Sequence, residues 1–241
     1  MLIQKFKGFL ASIFQEVIEE NIDKQNSLYH QLKTEARKEA FEYVKPLVAE
    51  VLIFTDRMQN IDYTIDVALK HKTAANNLFL EFGVWKGKSL KLISNKIGAD
   101  AKCFGFDSFE GLQEDWVGTS MPKGFFNVNH NIPKIKNNNC EFYVGFFDKT
   151  LPKFIEYLES KNTQQILFIH IDSDTYPAAN LILNSLKKYI KKDTIITFDE
   201  YLGYPGWKFG EFKAFSEFIS ATGLKYKYLS FSSETASIQI L

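Results

Sequence analysis

Acids at the ends of short apolar runs are the residues from which a chemistry can be read in this 241-residue chain. Glu81 follows Leu78, Phe79 and Leu80, and Asp107 ends the run from Cys103, 26 positions after Glu81. Asp172 ends the run from Ile166, and Asp199 with Glu200 ends the run from Thr194. Apolar runs of this length read as buried strands. The acids then gather at the carboxyl ends of a sheet, where open α/β folds bind their ligands. After Glu81 comes a tight turn, Gly83-Val84-Trp85-Lys86-Gly87, then Ser89 and an apolar-periodic segment. Gly83 and Gly87 let the backbone come close to a ligand there. An acid at the end of the second strand, here Asp107, can accept from both hydroxyls of a ribose, and Ser108 and Phe109 follow it toward the base.

The glycine spacing selects among such ligands. A dinucleotide fingerprint needs three glycines as G-x-G-x-x-G. This turn has Gly83 and Gly87 with the bulky Trp85 between them, which does not suit a pyrophosphate. An adenosine-containing ligand without a diphosphate is expected, which suits S-adenosylmethionine. Asp172, Asp199 and Glu200, on neighbouring strands about 4.8 Å apart, form an oxygen-only set suited to Mg²⁺. A cation there can orient a hydroxyl and lower its pKa, making it a nucleophile. Asp174, just before Thr175 and Pro177, reads as a helix cap. His170, inside an apolar strand, reads as a core histidine, whereas His130 lies in a loop from which it can approach a substrate.

These residues need a scaffold. After Gly87 the chain alternates between strand and helix patterns, which means a mostly parallel sheet with helices on both faces. Strands are expected at Lys102–Asp107, Glu141–Val144, Ile166–Asp172 and Thr194–Asp199, with helices over Phe154–Leu158, Leu181–Tyr189 and Phe209–Phe218. Leu224–Phe231 and Ala236–Leu241 read as a C-terminal antiparallel hairpin. Residues 112–139 are rich in Gly, Pro and Asn and lack periodicity, as a lid or binding loop does. Upstream, residues 1–60 read as an N-terminal helical extension for oligomerisation or as a lid, and 61–241 as the main domain. Leu2, Ile3, Phe6, Phe9, Leu10, Ile13, Phe14, Val17 and Ile18 form one apolar helix face, so a homo-oligomer is expected. A membrane-surface helix is the lesser alternative, since Glu16, Glu19 and Glu20 oppose it. A second helical stretch, Thr34 to Asn60, is expected to break near Pro46, and Asp62 to cap a third.

Bulk composition narrows the class. Lys+Arg and Asp+Glu both number 29, so nothing favours nucleic acid as the partner. Hydrophobic content of 45% suffices for a globular core. No stretch reads as an integral membrane segment. Of the two cysteines, Cys103 sits in an apolar run, which points to a reducing compartment and a cytoplasmic protein.

Five blocks in this order resemble a known family. They are Glu81-Phe82-Gly83-Val84-Trp85-Lys86-Gly87-Lys88-Ser89, Gly105-Phe106-Asp107-Ser108-Phe109-Glu110-Gly111-Leu112, Gly145-Phe146-Phe147-Asp148-Lys149-Thr150-Leu151-Pro152, His170-Ile171-Asp172-Ser173-Asp174-Thr175-Tyr176, and Phe198-Asp199-Glu200-Tyr201. The chain is similar, over roughly Asp62 to Phe218, to class I S-adenosylmethionine-dependent methyltransferases, and among them to the macrocin O-methyltransferase group of Mg²⁺-dependent sugar O-methyltransferases. The resemblance implies a Rossmann-like, seven-stranded α/β sheet, mostly parallel, with a C-terminal antiparallel hairpin. It implies that Glu81, Gly83, Val84, Trp85, Gly87, Ser89, Asp107, Ser108 and Phe109 build the cofactor site, with Gly145 to Phe147 on the adenine side. Asp172 adjoins the cofactor and, with Asp199 and Glu200, matches the family's metal-binding acids. The expected reaction is in-line attack of a sugar or small-molecule oxygen on the sulfonium methyl. The proton acceptor stays open among Asp172, Glu200, His130 and water. The chain departs from the family at Lys88, Gln113 and Glu200, where glycine, proline and a second aspartate are usual. A different acceptor (a phenol, an amine or a phosphate-linked group) and a non-catalytic cofactor-binding protein are the competing readings.

Overall fold

The computed structural model describes residues 27–73, 78–163 and 165–241. The apolar stripe expected over residues 2–18 lies outside them. The first helix, α1 (Leu28–Val44), is opened by Ser27, whose hydroxyl accepts from the His30 N–H at 3.2 Å. It ends where Pro46 enters the 3₁₀ turn Lys45–Leu47, because proline has no N–H to continue the ladder. A two-residue strand, β1 (Leu52–Ile53), separates it from α2 (Arg57–Leu69). The helical stretch expected from Thr34 to Asn60 thus breaks at Pro46, as expected, and resumes only at Arg57. The cap is corrected: Asp56 Oδ1 accepts from the N–H groups of Met58 and Gln59 at 2.8 and 3.1 Å. Asp62 lies one turn inside the helix, where the backbone donors are already paired, and its carboxylate meets Lys96 instead.

Strands and helices then alternate: β2 (Leu78–Phe82), α3 (Lys88–Ile97), β3 (Lys102–Asp107), β4 (Cys140–Val144), α4 (Phe147–Ser160), β5 (Phe168–Ile171), α5 (Tyr176–Leu186), β6 (Ile195–Phe198), α6 (Glu211–Thr222), β7 (Tyr226–Phe231) and β8 (Ala236–Ile240). One sheet orders them β1-β7-β8-β6-β5-β2-β3-β4. All neighbours are parallel except β6–β8 and β7–β8, the expected hairpin. The sheet has eight strands rather than seven, because β1 adds two residues beside β7. A pair of residues carries no periodic signal.

Side chains on β2 alternate between two cores. Leu78, Leu80 and Phe82 pack under α4, α5 and α6, while Phe79 packs with Ile61 and Ile65 of α2 and Leu90 and Ile93 of α3. β2, β5 and β6 are buried along their whole length, as parallel strands covered on both faces are. The chain leaves β2 toward β3 and β4 and returns on the other side at β5, so strand order reverses between β2 and β5. That reversal is where such sheets open a crevice at their carboxyl ends. Among the described residues no helix is long and apolar enough to cross a membrane.

Candidate active site

The crevice is built by backbone approach. Gly83 follows β2 at φ +91°, and a Cβ there would lie 1.7 Å from the carbonyl oxygen of Asp172. Only glycine fits, so the carboxyl ends of β2 and β5 can close together. The Gly83 N–H donates to Phe106 O at 2.9 Å and the Asp172 N–H to Phe82 O at 2.8 Å.

Asp107 then shapes the turn. Its Oδ2 accepts from the N–H groups of Val84 and Trp85 at 2.8 and 2.7 Å, and its Oδ1 from Phe109 at 2.7 Å. These bonds hold Trp85 at φ 47° and Phe109 at φ 58°, a backbone region uncommon for bulky residues. The two rings go opposite ways. Trp85 is 42% exposed and lies edge-on to Phe126. Phe109 is 1% exposed and packs into the core near Phe142.

A pocket of about 750 Å³ occupies the crevice, a size that suits a small-molecule site. Of the residues expected there, Gly83, Trp85, Asp107, Ser108, Phe146, Phe147, Asp172 and Glu200 line it. The others stand behind it. Ser89 Oγ donates to Glu81 Oε1 at 2.8 Å, and both are buried beneath the turn. Val84 belongs to the core, and Gly87 opens α3 where a Cβ would strike Pro133 at 2.8 Å. The Gly145 N–H donates to Asp107 O at 2.9 Å. Exposed His130 donates its N–H to Phe109 O at 3.2 Å. These residues support the turn rather than face the pocket.

The loop after β3 roofs the pocket and is ordered by its own bonds. The Leu112 N–H donates to Phe125 O and the Gly124 N–H to Leu112 O, both at 2.9 Å, and Trp116 bridges Met121. Thr175 Oγ1 donates to Glu114 Oε1 at 2.6 Å, tying the loop to the start of α5.

The structure divides the expected metal acids. Among the described residues, ligand atoms of Asp172, Asp174 and Glu200 lie within 4.8 Å of one another, as do those of His170, Asp172 and Asp199. Asp199 is drawn away by Arg57, whose guanidinium ion-pairs with it and lies 3.7 Å from Asp172 Oδ2. His170 Nε2 stands 3.8 Å from Asp199 Oδ1, and Nδ1 stands 3.5 Å from Glu81 Oε2. Asp174, expected as a cap, does not serve as one: Thr175 is the N-cap residue of α5, and no side chain caps it. Asp174 instead adopts φ 63° and lines the pocket.

Burial raises the carboxyl pKa of Asp172. It raises those of Asp174 and Glu200 well above the usual range, and repulsion from Asp172 adds to both. Glu200 Oε2 is buried with no hydrogen-bond partner among the described residues. Such a group calls for a cation or a proton. Beneath it lies Glu211, fully buried at the start of α6. Its Oε1 accepts from Ser173 N and Oγ at 3.3 and 3.2 Å, and its Oε2 from Glu200 N at 3.2 Å. Glu211 thus joins the loops after β5 and β6. Sequence reasoning missed Arg57, Asp174 and Glu211. Only the acid–arginine pair Asp56-Arg57 and the acid after Gly210 offered a local signal.

A family model described as "Methyltransferase domain" matches residues 80–201, half of the chain. No curated protein matches it. Among solved structures, the chain is similar to the calicheamicin methyltransferase CalS11, at 20% identity and a TM-score of 0.61, over 76% of this chain and 78% of that one. It is also similar to the O-methyltransferase NovP, at 17% identity and a TM-score of 0.59, over the same shares. These likenesses carry the fold. With the family match over the turn, Asp107 and the strand-end acids, the chain belongs to the methyltransferase-domain family, as a class I S-adenosylmethionine-dependent methyltransferase.

Proposed function

We propose that this methyltransferase acts on an oxygen, with help from a divalent cation, and that its acceptor is a hydroxyl of a sugar-containing small molecule. The observation that carries the reading is the open trio Asp172, Asp174 and Glu200 at the pocket wall, within 4.8 Å of one another. An oxygen-only set with a buried, unpaired Glu200 oxygen fits Mg²⁺, which accepts one or two carboxylates and keeps waters. CalS11, in its apo structure, is described as a TDP-rhamnose 3'-O-methyltransferase (19% identity, TM-score 0.53). That description supports a sugar acceptor here.

When bound, the cofactor supplies the methyl group and the cation lowers the pKa of the acceptor hydroxyl. The chain does the rest. Gly83, Asp107 and Ser108 line the cofactor end of the pocket. Asp172 borders both ends, since its backbone closes on Gly83 while its carboxylate joins the trio. With the cation held by Asp172, Asp174 and Glu200 these carboxylates are ionised, and the acceptor's proton passes to one of their oxygens that the cation leaves free or to water. Trp85, Trp116 and Phe126 supply apolar walls that exclude water.

The test is calorimetric titration of S-adenosylmethionine and S-adenosylhomocysteine, with Mg²⁺ and then with chelator. Methyl transfer to a nucleotide-linked deoxysugar, a catechol and an amine follows under both conditions. Chelator-sensitive transfer to the sugar is expected. Transfer to the catechol or the amine alone, or transfer indifferent to chelator, would overturn the reading.

A further inference from the structure

Arg57 lies outside the segment that the family model matches, yet it reaches the acid cluster. It opens α2 directly after the Asp56 cap, which fixes the start of the helix. Its guanidinium pairs with Asp199 and approaches Asp172 Oδ2 at 3.7 Å. The two ends of this pair differ in freedom. Asp199 is enclosed, with its side chain 2% exposed and its other oxygen 3.4 Å from Thr235 Oγ1. The Arg57 side chain is 42% exposed and lines the pocket, so it can leave without disturbing the core.

A guanidinium and a divalent cation cannot share these oxygens, because like charges so close repel in a partly buried site. We propose that Arg57 and a divalent cation are alternative counter-charges for Asp172 and Asp199. Docked Arg57 holds Asp199 and one oxygen of Asp172, so it leaves the cation only Asp174, Glu200 and the other Asp172 oxygen. Withdrawn, it adds Asp199 to the set. Arg57 therefore sets the affinity of the site for the cation, and by linkage the cation weakens the hold of Arg57. This inference rests on the metal reading above.

The experiment titrates Mn²⁺ into the full chain, followed by electron paramagnetic resonance and calorimetry, with Mg²⁺-induced thermal shifts alongside. R57Q is expected to bind Mn²⁺ about tenfold more tightly than wild type and to gain more melting temperature from Mg²⁺. R57K, whose ammonium keeps the charge but cannot bridge both carboxylates as a planar fork does, is expected to show a smaller gain. Adding D199N to R57Q is expected to remove the gain, and a gain that persists would overturn the exclusion of Asp199. Equal or weaker Mn²⁺ binding by folded R57Q overturns the role of Arg57 and leaves the metal reading standing. Absence of Mn²⁺ binding by both proteins overturns the two together. Should R57Q not fold, the charge-neutral R57M decides, since wild-type affinity in folded R57M refutes the competition.

Discussion

Asp107 offers the sharpest test of how this site is held, because a cofactor-contacting role and a turn-forming role predict different numbers. Its carboxylate accepts three backbone N–H bonds of 2.7 to 2.8 Å, the length of charge-assisted bonds. Each bond to a charged acceptor contributes about 1.5–3 kcal/mol net. Val84 and Phe109 are 3% and 1% exposed, so water does not replace the carboxylate there, whereas exposed Trp85 can turn to solvent. Counting the two enclosed bonds, D107A should lose about 3–6 kcal/mol. Phe109 stays packed in the core, so only exposed Trp85 can relax its left-handed backbone, which offsets about 1–3 kcal/mol. A net loss of about 2–3 kcal/mol is expected. In D107N the carbonyl oxygen can still serve Val84 and Trp85, while the amide nitrogen faces the Phe109 N–H and loses that bond. Its cost should be about half that of D107A. Urea unfolding followed by circular dichroism measures both, with an unchanged slope showing that the transition is comparable. Calorimetry with S-adenosylmethionine measures the second role. A D107A protein within about 0.5 kcal/mol of wild type, the range of an ordinary surface change, would refute the turn-forming argument. Weakened cofactor binding at unchanged stability would leave Asp107 as a ligand contact alone.

Other outcomes follow from the same geometry. Asp172, Asp174, Glu200 and Glu211 have carboxyl pKa values raised first by burial; a raised folded pKa contributes stability below the unfolded value, near about 4, that is lost as pH climbs through the folded one. The chelated protein should therefore melt at falling temperatures as pH rises above about 5, and Mg²⁺ should reverse the trend; a flat profile refutes it. G83A places a Cβ 1.7 Å from Asp172 O at φ +91° and should cost more than about 4 kcal/mol, or give no soluble protein; a wild-type melting temperature would exclude the close approach. E211Q can serve only one of its two backbone partners as acceptor, so Glu200 should lose its anchor and Mn²⁺ should bind more weakly while the cofactor affinity holds; equal Mn²⁺ binding would show that the link between the loops does not position the acids. A chain starting at residue 27 should be smaller in solution than the full chain by light scattering, and the same mass per particle in both would remove residues 1–26 from assembly.

The order of strands was legible because each is a short apolar run ended by an acid or glycine. Leu78–Phe82, Lys102–Asp107 and Thr194–Phe198 all announce themselves in this way. Helix limits were less legible. Phe147–Ser160 is far longer than the five-residue helix expected from Phe154 to Leu158, and it contains Pro152. Pro152 is the sixth residue of this helix, past the four N–H groups that lack partners, so it removes one ladder bond that the burial of Leu151, Phe154 and Leu158 outweighs. The helix that begins at Arg57 was hidden because Asp56, Asp62 and Asp66 can all pose as caps.

What the sequence determined by itself was the framework: which runs are strands, that the sheet is mostly parallel with a terminal hairpin, and that Gly83, Asp107, Asp172 and Glu200 meet at its carboxyl edge. Short continuous apolar runs, buried on both faces of a parallel sheet, force those outcomes locally. Only the tertiary structure decided which side chains face the pocket and which support it. Glu81 turns down to Ser89, Asp199 goes to Arg57, and Asp174 rather than Asp199 completes the open trio. The reason is physical. A carboxylate's partner depends on charges brought together from distant stretches, here residue 57 in α2 and residue 211 in α6, and no periodicity within a strand encodes that meeting.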